Sequence, residues 1–183
     1  SAFNDRLNWI LGFYYLDEDG TYLETISAAF ADLTSGGRTT TESMAVFAQG
    51  TYDLTDNLSM TVGIRYTDDE REFTPNAFIL ERDRLSLIPA GVPLLPPVRS
   101  NINSTETTPM VNLSYAFTDD FMVYATYSEG YKGGGFTQRV AEPNPIVPSF
   151  DPEFVTAYEV GSKFSGLDNR LRINGAVFFT DYE

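Results

Sequence analysis

Apolar and polar residues alternate with a period of two in seven stretches of this chain, the signature of β-strands with two unlike faces. In the first, Leu7, Trp9, Leu11, Phe13 and Tyr15 share one face, opposite Asn8, Gly12 and Tyr14. The second sets Met44, Val46, Ala48, Gly50, Tyr52 and Leu54 against Ala45, Phe47, Gln49, Thr51 and Asp53. The third is the most regular, with Leu58, Met60, Val62, Ile64 and Tyr66 against Ser59, Thr61, Gly63 and Arg65. The fourth places Val111, Leu113, Tyr115 and Phe117 on one side. The fifth sets Phe121, Val123, Ala125 and Tyr127 against Tyr124, Thr126 and Ser128. Tyr158, Val160 and Phe164 oppose Glu159, Gly161 and Lys163 in the sixth; Leu171, Ile173, Val177 and Phe179 oppose Arg172, Asn174 and Ala176 in the seventh.

The connections are unequal. Thr55-Asp56-Asn57, Thr118-Asp119-Asp120 and Gly166-Leu167-Asp168-Asn169 are short polar turns. Between the hairpins lie long excursions, at about 17–43, 68–108 and 131–153, rich in charge, Pro or Gly. Such lengths are unusual in a compact domain, where the median connection is about 4–6 residues. Short turns at one end and long loops at the other are inherent to a transmembrane β-barrel of the outer-membrane kind. Aromatic residues recur where the apolar face meets a turn or loop: Tyr15, Tyr52, Tyr66, Phe117, Phe121, Tyr127, Phe164 and Phe179. That placement matches interfacial girdles, with ring bodies in lipid and polar tips among headgroups.

Composition narrows the function classes. The 183 residues carry a formal charge of −14, which argues against nucleic acid, because phosphate contacts need clustered Lys and Arg. The sequence has no Cys and no His, which excludes disulfides, thiolate nucleophiles, His- or Cys-ligated zinc and His-based triads in this chain. No cofactor and no enzymatic role are expected. No apolar run is long enough for a membrane helix, but barrel strands of about 9–11 alternating residues escape that test. Seven strands leave two edges whose backbone groups lipid cannot satisfy. The start at Ser1-Ala2-Phe3 reads as mature or internal, and the end at Tyr182-Glu183 falls within a strand. Residues 1–183 are therefore expected to be a partial barrel domain.

Candidate chemistry lies in the loops and on the polar faces. Asp17–Asp19 and Asp68–Glu70 fit no EF-hand spacing; solvated strand ends explain them. Gly133-Gly134-Gly135 precedes no helix that would complete a P-loop and reads as a flexible strand-to-loop transition. No metal site is expected. Arg65, Glu159, Lys163 and Arg172 fall on polar faces of separate strands, where they could line a substrate path. Arg82, Arg84, Lys132 and Arg139, with Tyr131, are loop candidates for an anionic ligand in an otherwise acidic chain.

Three stretches resemble the TonB-dependent outer-membrane receptors. Ala45-Val46-Phe47-Ala48-Gln49 through Asn57-Leu58 to Gly63-Ile64-Arg65-Tyr66-Thr67 is similar to a middle hairpin of that barrel. Val123-Tyr124-Ala125-Thr126-Tyr127-Ser128-Glu129-Gly130-Tyr131-Lys132-Gly133-Gly134-Gly135-Phe136 resembles a strand and loop entry further along. Ala157–Lys163 with Arg170–Asn174 and Phe178–Tyr182 resembles the next hairpin. The resemblance implies an all-β antiparallel barrel of about 22 strands, with an N-terminal plug inside, in the bacterial outer membrane. It implies uptake of a scarce ligand such as a ferric siderophore, driven by the TonB complex through an N-terminal box. This chain holds neither the plug nor that box, so it would supply barrel wall and recognition loops. The competing expectations are a passive, porin-like diffusion channel and a soluble β-sandwich that binds carbohydrate or mediates adhesion.

Overall fold

The structure is a computed structural model that describes residues 6–27, 31–82, 89–140, 142–168 and 170–183. Among the described residues ten strands follow in chain order: β1 Leu7–Ser27, β2 Ala31–Asp53, β3 Leu58–Pro75, β4 Phe78–Arg82 and β5 Ser100–Thr118, then β6 Phe121–Lys132, β7 Gly135–Phe136, β8 Ser149–Phe150, β9 Glu153–Gly166 and β10 Leu171–Tyr182. The seven alternating stretches become one antiparallel meander, ordered β1-β2-β3-β5-β6-β9-β10. Within the meander strand order follows chain order: the short turns return β2 to β3, β5 to β6 and β9 to β10 directly, and the longer connections do the same at the other end.

Those turns close with their own hydroxyls. Thr55 Oγ1 accepts from Leu58 N at 3.0 Å, and Thr118 Oγ1 from Asp120 N at 3.3 Å. The side-chain oxygen replaces a backbone acceptor where the chain reverses. Asn57 Nδ2 donates to Ala116 O at 2.8 Å, stitching the first turn to the next hairpin. In the third turn Leu167 and Asp168 both take positive φ, 54° and 55°.

The register is continuous from β1 through β5. Phe13 faces Val46, Val46 faces Tyr66, and Tyr66 faces Thr107. Burial is inverted relative to a soluble sheet. The apolar face is open, with Trp9 72% and Val160 56% exposed, while Ala45 on the polar face is 2% exposed. A soluble β-sandwich requires the apolar face to be covered, so that reading is set aside. On the polar face, large rings cover glycines of the facing strand. Phe47 lies over Gly12 and Tyr124 over Gly161, and a Cβ at either glycine would fall within the ring. Tyr124 thereby joins Glu159 and Lys163 on the polar face.

The predicted long loops at 17–43 and 68–108 are largely strand. β1 and β2 pair without interruption from Leu7↔Tyr52 to Ser27↔Asp32, and β3 and β5 pair as far as Phe73↔Ser100. Away from the short turns these arms are polar on both faces, as in Thr39-Thr40-Thr41 and Asp68-Asp69-Glu70. Without an apolar stripe, the period-two signal disappears although the ladder continues. β3 and β4 follow each other along the same edge of β2, with the chain stepping out at Asn76 and Ala77. There Leu33, Ala77, Ile79 and Leu94 form a small buried core, packed against Ile26 and Val140. This core lies in the loop head, far along the strands from the short turns.

Candidate functional site: a strap across the polar face

The segment after β6 does not stand out into solvent. It runs back over the polar faces of β3, β2 and β1, and the triple glycine sets its start. Gly133, Gly134 and Gly135 are buried. A Cβ at Gly133 would meet Asp69 Oδ2 at 3.0 Å and Tyr131 Oη at 3.1 Å; one at Gly134 would meet Phe150 O at 2.7 Å. The glycines are needed for close backbone approach. The expectation of a flexible transition is corrected accordingly, since the segment is pinned at this point. Arg71 Nη1 donates to Gly134 O at 3.0 Å, and Tyr131 Oη donates to Asp69 Oδ2 at 2.6 Å. Phe136 stacks on Phe73 with 5.8 Å between centroids, and β7 pairs with β8 to close the segment on itself.

Further along, the fully buried Ser35 donates from Oγ to Gln138 O at 2.9 Å and accepts from Val140 N at 3.3 Å. Gln138 Nε2 donates to Thr39 Oγ1 at 2.9 Å. Arg139 then reaches β1, where Nε and Nη2 donate to the two carboxylate oxygens of Glu24 at 2.6 and 2.7 Å. Tyr22 Oη donates to the same carboxylate at 2.5 Å and accepts from Arg139 Nη2 at 3.3 Å. The hydrogen bonds from Arg139, and secondarily from Tyr22, hold the Glu24 carboxyl below its ordinary range. Beneath Gln138 lies a cavity of about 290 Å³ lined by Glu18, Tyr22, Thr39, Thr41 and neighbouring residues. Its walls offer hydroxyls, an amide and one carboxylate, which suits hydrogen bonding to oxygen-rich groups.

The sequence candidates divide. Tyr131 and Arg139 are brought into this strap. Lys132 pairs with Glu153 at 3.1 Å and lies 6.0 Å from the Phe150 ring centroid. Arg65 stands apart on the polar face, with its guanidinium 5.4 Å from the Tyr14 ring and 5.9 Å from Phe47, and Nε donating to Thr67 Oγ1 at 3.0 Å. It has no carboxylate partner among the described residues. Arg84 lies outside the described residues, as does the side chain of Arg82. Glu159 accepts from Tyr124 Oη at 2.6 Å, and Lys163 lies 5.5 Å from the Tyr124 ring. Arg172, on edge strand β10, is exposed. Sequence reasoning missed Glu24, Tyr22, Ser35 and Arg71, and took Asp69 for part of a solvated strand end. Glu24 lies 115 positions from Arg139 and carries no local signal.

One antiparallel sheet, apolar and aromatic on its open face and polar on the other, is the wall of a transmembrane β-barrel. The chain belongs to the family described as TonB dependent receptor-like, beta-barrel, which matches residues 1–183. Members are receptor barrels of the bacterial outer membrane. The apolar face is accordingly the lipid face and the polar face the lumenal one. The pesticin receptor of Yersinia pestis is 26% identical over 155 residues, covering 81% of this chain and 20% of the relative. The catecholate siderophore receptor Fiu of Escherichia coli O157:H7 is 27% identical over 153 residues, covering 78% and 20%. Among solved structures, the ferric yersiniabactin uptake receptor FyuA from Yersinia pestis superposes with a TM-score of 0.78 at 22% identity, over 96% of this chain and 26% of that one. The ferric-catecholate import receptor Fiu from E. coli K12, in its closed form, gives 0.61 at 17% identity, over 94% and 32%. The chain thus spans 20% of the length of the curated relatives it matches.

Proposed function

We propose that the parent protein is an active-transport receptor for ferric siderophores, energised through TonB, and that residues 1–183 form a wall section of its barrel with part of its ligand-recognition surface. The observation that carries this reading is the family match over the whole chain, whose relatives are named as siderophore and pesticin receptors. The TonB complex would act through an N-terminal region outside these residues. The role is capture and guidance, with no covalent step.

Within this section Arg65 is a cation placed to meet an anionic group in the lumen, since aromatic rings and a threonine hold it rather than a carboxylate. Arg82 and Arg84 belong to the same proposed recognition surface, as do Tyr131, Lys132 and Arg139 through the strap. The test is growth of a strain lacking the parent gene on a ferric siderophore as sole iron source, with and without the restored gene, in TonB-positive and TonB-negative cells. Growth that needs both the gene and TonB supports the reading. Equal rescue without TonB would point to a passive pore and overturn it.

A further inference from the structure

The strap has unlike ends. At 133–135 it is buried and fixed, its backbone lying directly on Asp69, Tyr131 and Phe150. At 137–140 it is half-buried or exposed: Gln138 bonds to Ser35 and Thr39, Arg139 bonds to Glu24 and Tyr22, and Val140 donates from N to Ser35 Oγ and packs against the small core of the loop head. The Arg139 side chain is 69% exposed while that of Glu24 is 20% exposed. Sheet pairing does not bring these groups together, because β6 is separated from β1 by β5, β3 and β2. The strap therefore reaches across the lumenal wall and fastens to the far arm with a forked, charge-assisted pair. Such a pair is strongly directional but, when exposed, contributes little net stability, so it can be released. Beside it, on the lumenal face of β1 and β2, is the polar recess of about 290 Å³, with Tyr22 and Gln138 as part of its lining.

We propose that Arg139, Glu24 and Tyr22 form a latch that holds residues 136–140 against the lumenal face of β1 and β2, and that ligand movement along this wall requires the latch to open. The buried glycines on one side and Val140 on the other are the anchors, and the exposed guanidinium pair between them is the release point. Opening uncovers the half-buried Thr39 and Thr41 beside the already exposed Glu18 and Tyr22. This inference rests on the transport reading for its consequence, though not for the latch itself.

Two arms test it in the full-length receptor. The first needs no ligand: amide hydrogen exchange of residues 136–140 in Glu24→Gln, Arg139→Glu and the charge-swapped double variant Glu24→Arg/Arg139→Glu. Single variants are expected to exchange roughly fivefold faster at the strap, the range open to an exposed ion pair, and the swap to recover most of the protection. Unchanged exchange in both single variants overturns the latch. The second arm replaces Glu24 and Arg139 with cysteine and joins them by a short, reducible thiol cross-linker. Uptake is then followed with a radiolabelled ferric catecholate and a ferric hydroxamate. Uptake lost on cross-linking and regained on reduction supports the requirement for opening; full uptake with verified cross-linking overturns it. If the unmodified receptor transports neither complex while the exchange arm behaves as expected, the siderophore reading fails and the latch stands.

Discussion

Tyr131 donates its phenolic hydrogen to Asp69 Oδ2 at 2.6 Å, joining the outer end of β6 to β3 across 62 positions of sequence. The contact fixes where the strap leaves the wall, because Gly133 sits against both partners. Tyr131→Phe leaves the Asp69 carboxylate without this donor. We expect a loss of about 1–3 kcal/mol, the range for a partly buried polar group stripped of its partner. Tyr127→Phe, whose partner Glu129 is exposed on the other face, should be nearly neutral. Urea unfolding of the receptor in detergent, compared between the two variants, checks the difference.

The glycine run can be tested by adding one methyl group. Gly134→Ala places a Cβ 2.7 Å from Phe150 O and 3.3 Å from Pro152, so β7 and β8 must separate or the strap must lift. Overpacking of this kind costs about 1–3 kcal/mol. Gly175→Ala on β10 meets nothing within 4 Å and should be neutral or slightly stabilising. Limited proteolysis of residues 133–150 should accelerate only in the first variant.

The two faces of the sheet predict opposite tolerance to charge. Val160→Arg puts a cation on the lipid face and should destabilise the folded receptor by about 2–4 kcal/mol if it lies near the bilayer midplane. Lys163→Gln, on the lumenal face of the same strand, should fold with unchanged yield. Folding into lipid vesicles, read as the heat-modifiable band shift on gels, separates the outcomes.

Acid should loosen the strap. The Glu24 carboxyl is held below its ordinary value by Arg139 and Tyr22, and it stands in the arm of β1 beyond the membrane-spanning part. A carboxyl with a depressed folded-state pKa adds stability above its unfolded value, and that contribution is lost as pH falls through the folded value. The strap should therefore stay protected at neutral pH and gain exchange only below about pH 4.5, the ordinary carboxyl value. Glu24→Gln should flatten that acid-induced change. Amide exchange from pH 7 downward, corrected for intrinsic rates, is the measurement.

The fold was legible where one face had to satisfy lipid. Trp9 to Tyr15, Leu58 to Tyr66 and Leu171 to Phe179 announce strands because alternation is the only way a barrel wall presents apolar groups outward and small or polar groups inward. Beyond the lipid that requirement ends. The ladders of Thr39–Thr41 against Glu72, Arg71 and Phe73 continued without a sequence pattern to reveal them. Arg65 was placed correctly on the polar face by parity alone. The partners of Tyr131 and Arg139 were not, because Asp69 and Glu24 lie far away in sequence and their pairing depends on the path of the strap.

The sequence by itself determined seven strands, their facing, their short turns and the bilayer they belong in, because each follows from a local period of two or from a turn residue next to it. Only the tertiary structure decided that the glycine run is an anchor, that the excursions at 17–43 and 68–108 are largely extended hairpin arms, and that Arg139 closes on Glu24. Those outcomes depend on approach between residues far apart in sequence, across as many as three intervening strands for Arg139 and Glu24, where close packing and paired charge, rather than any local propensity, select the conformation.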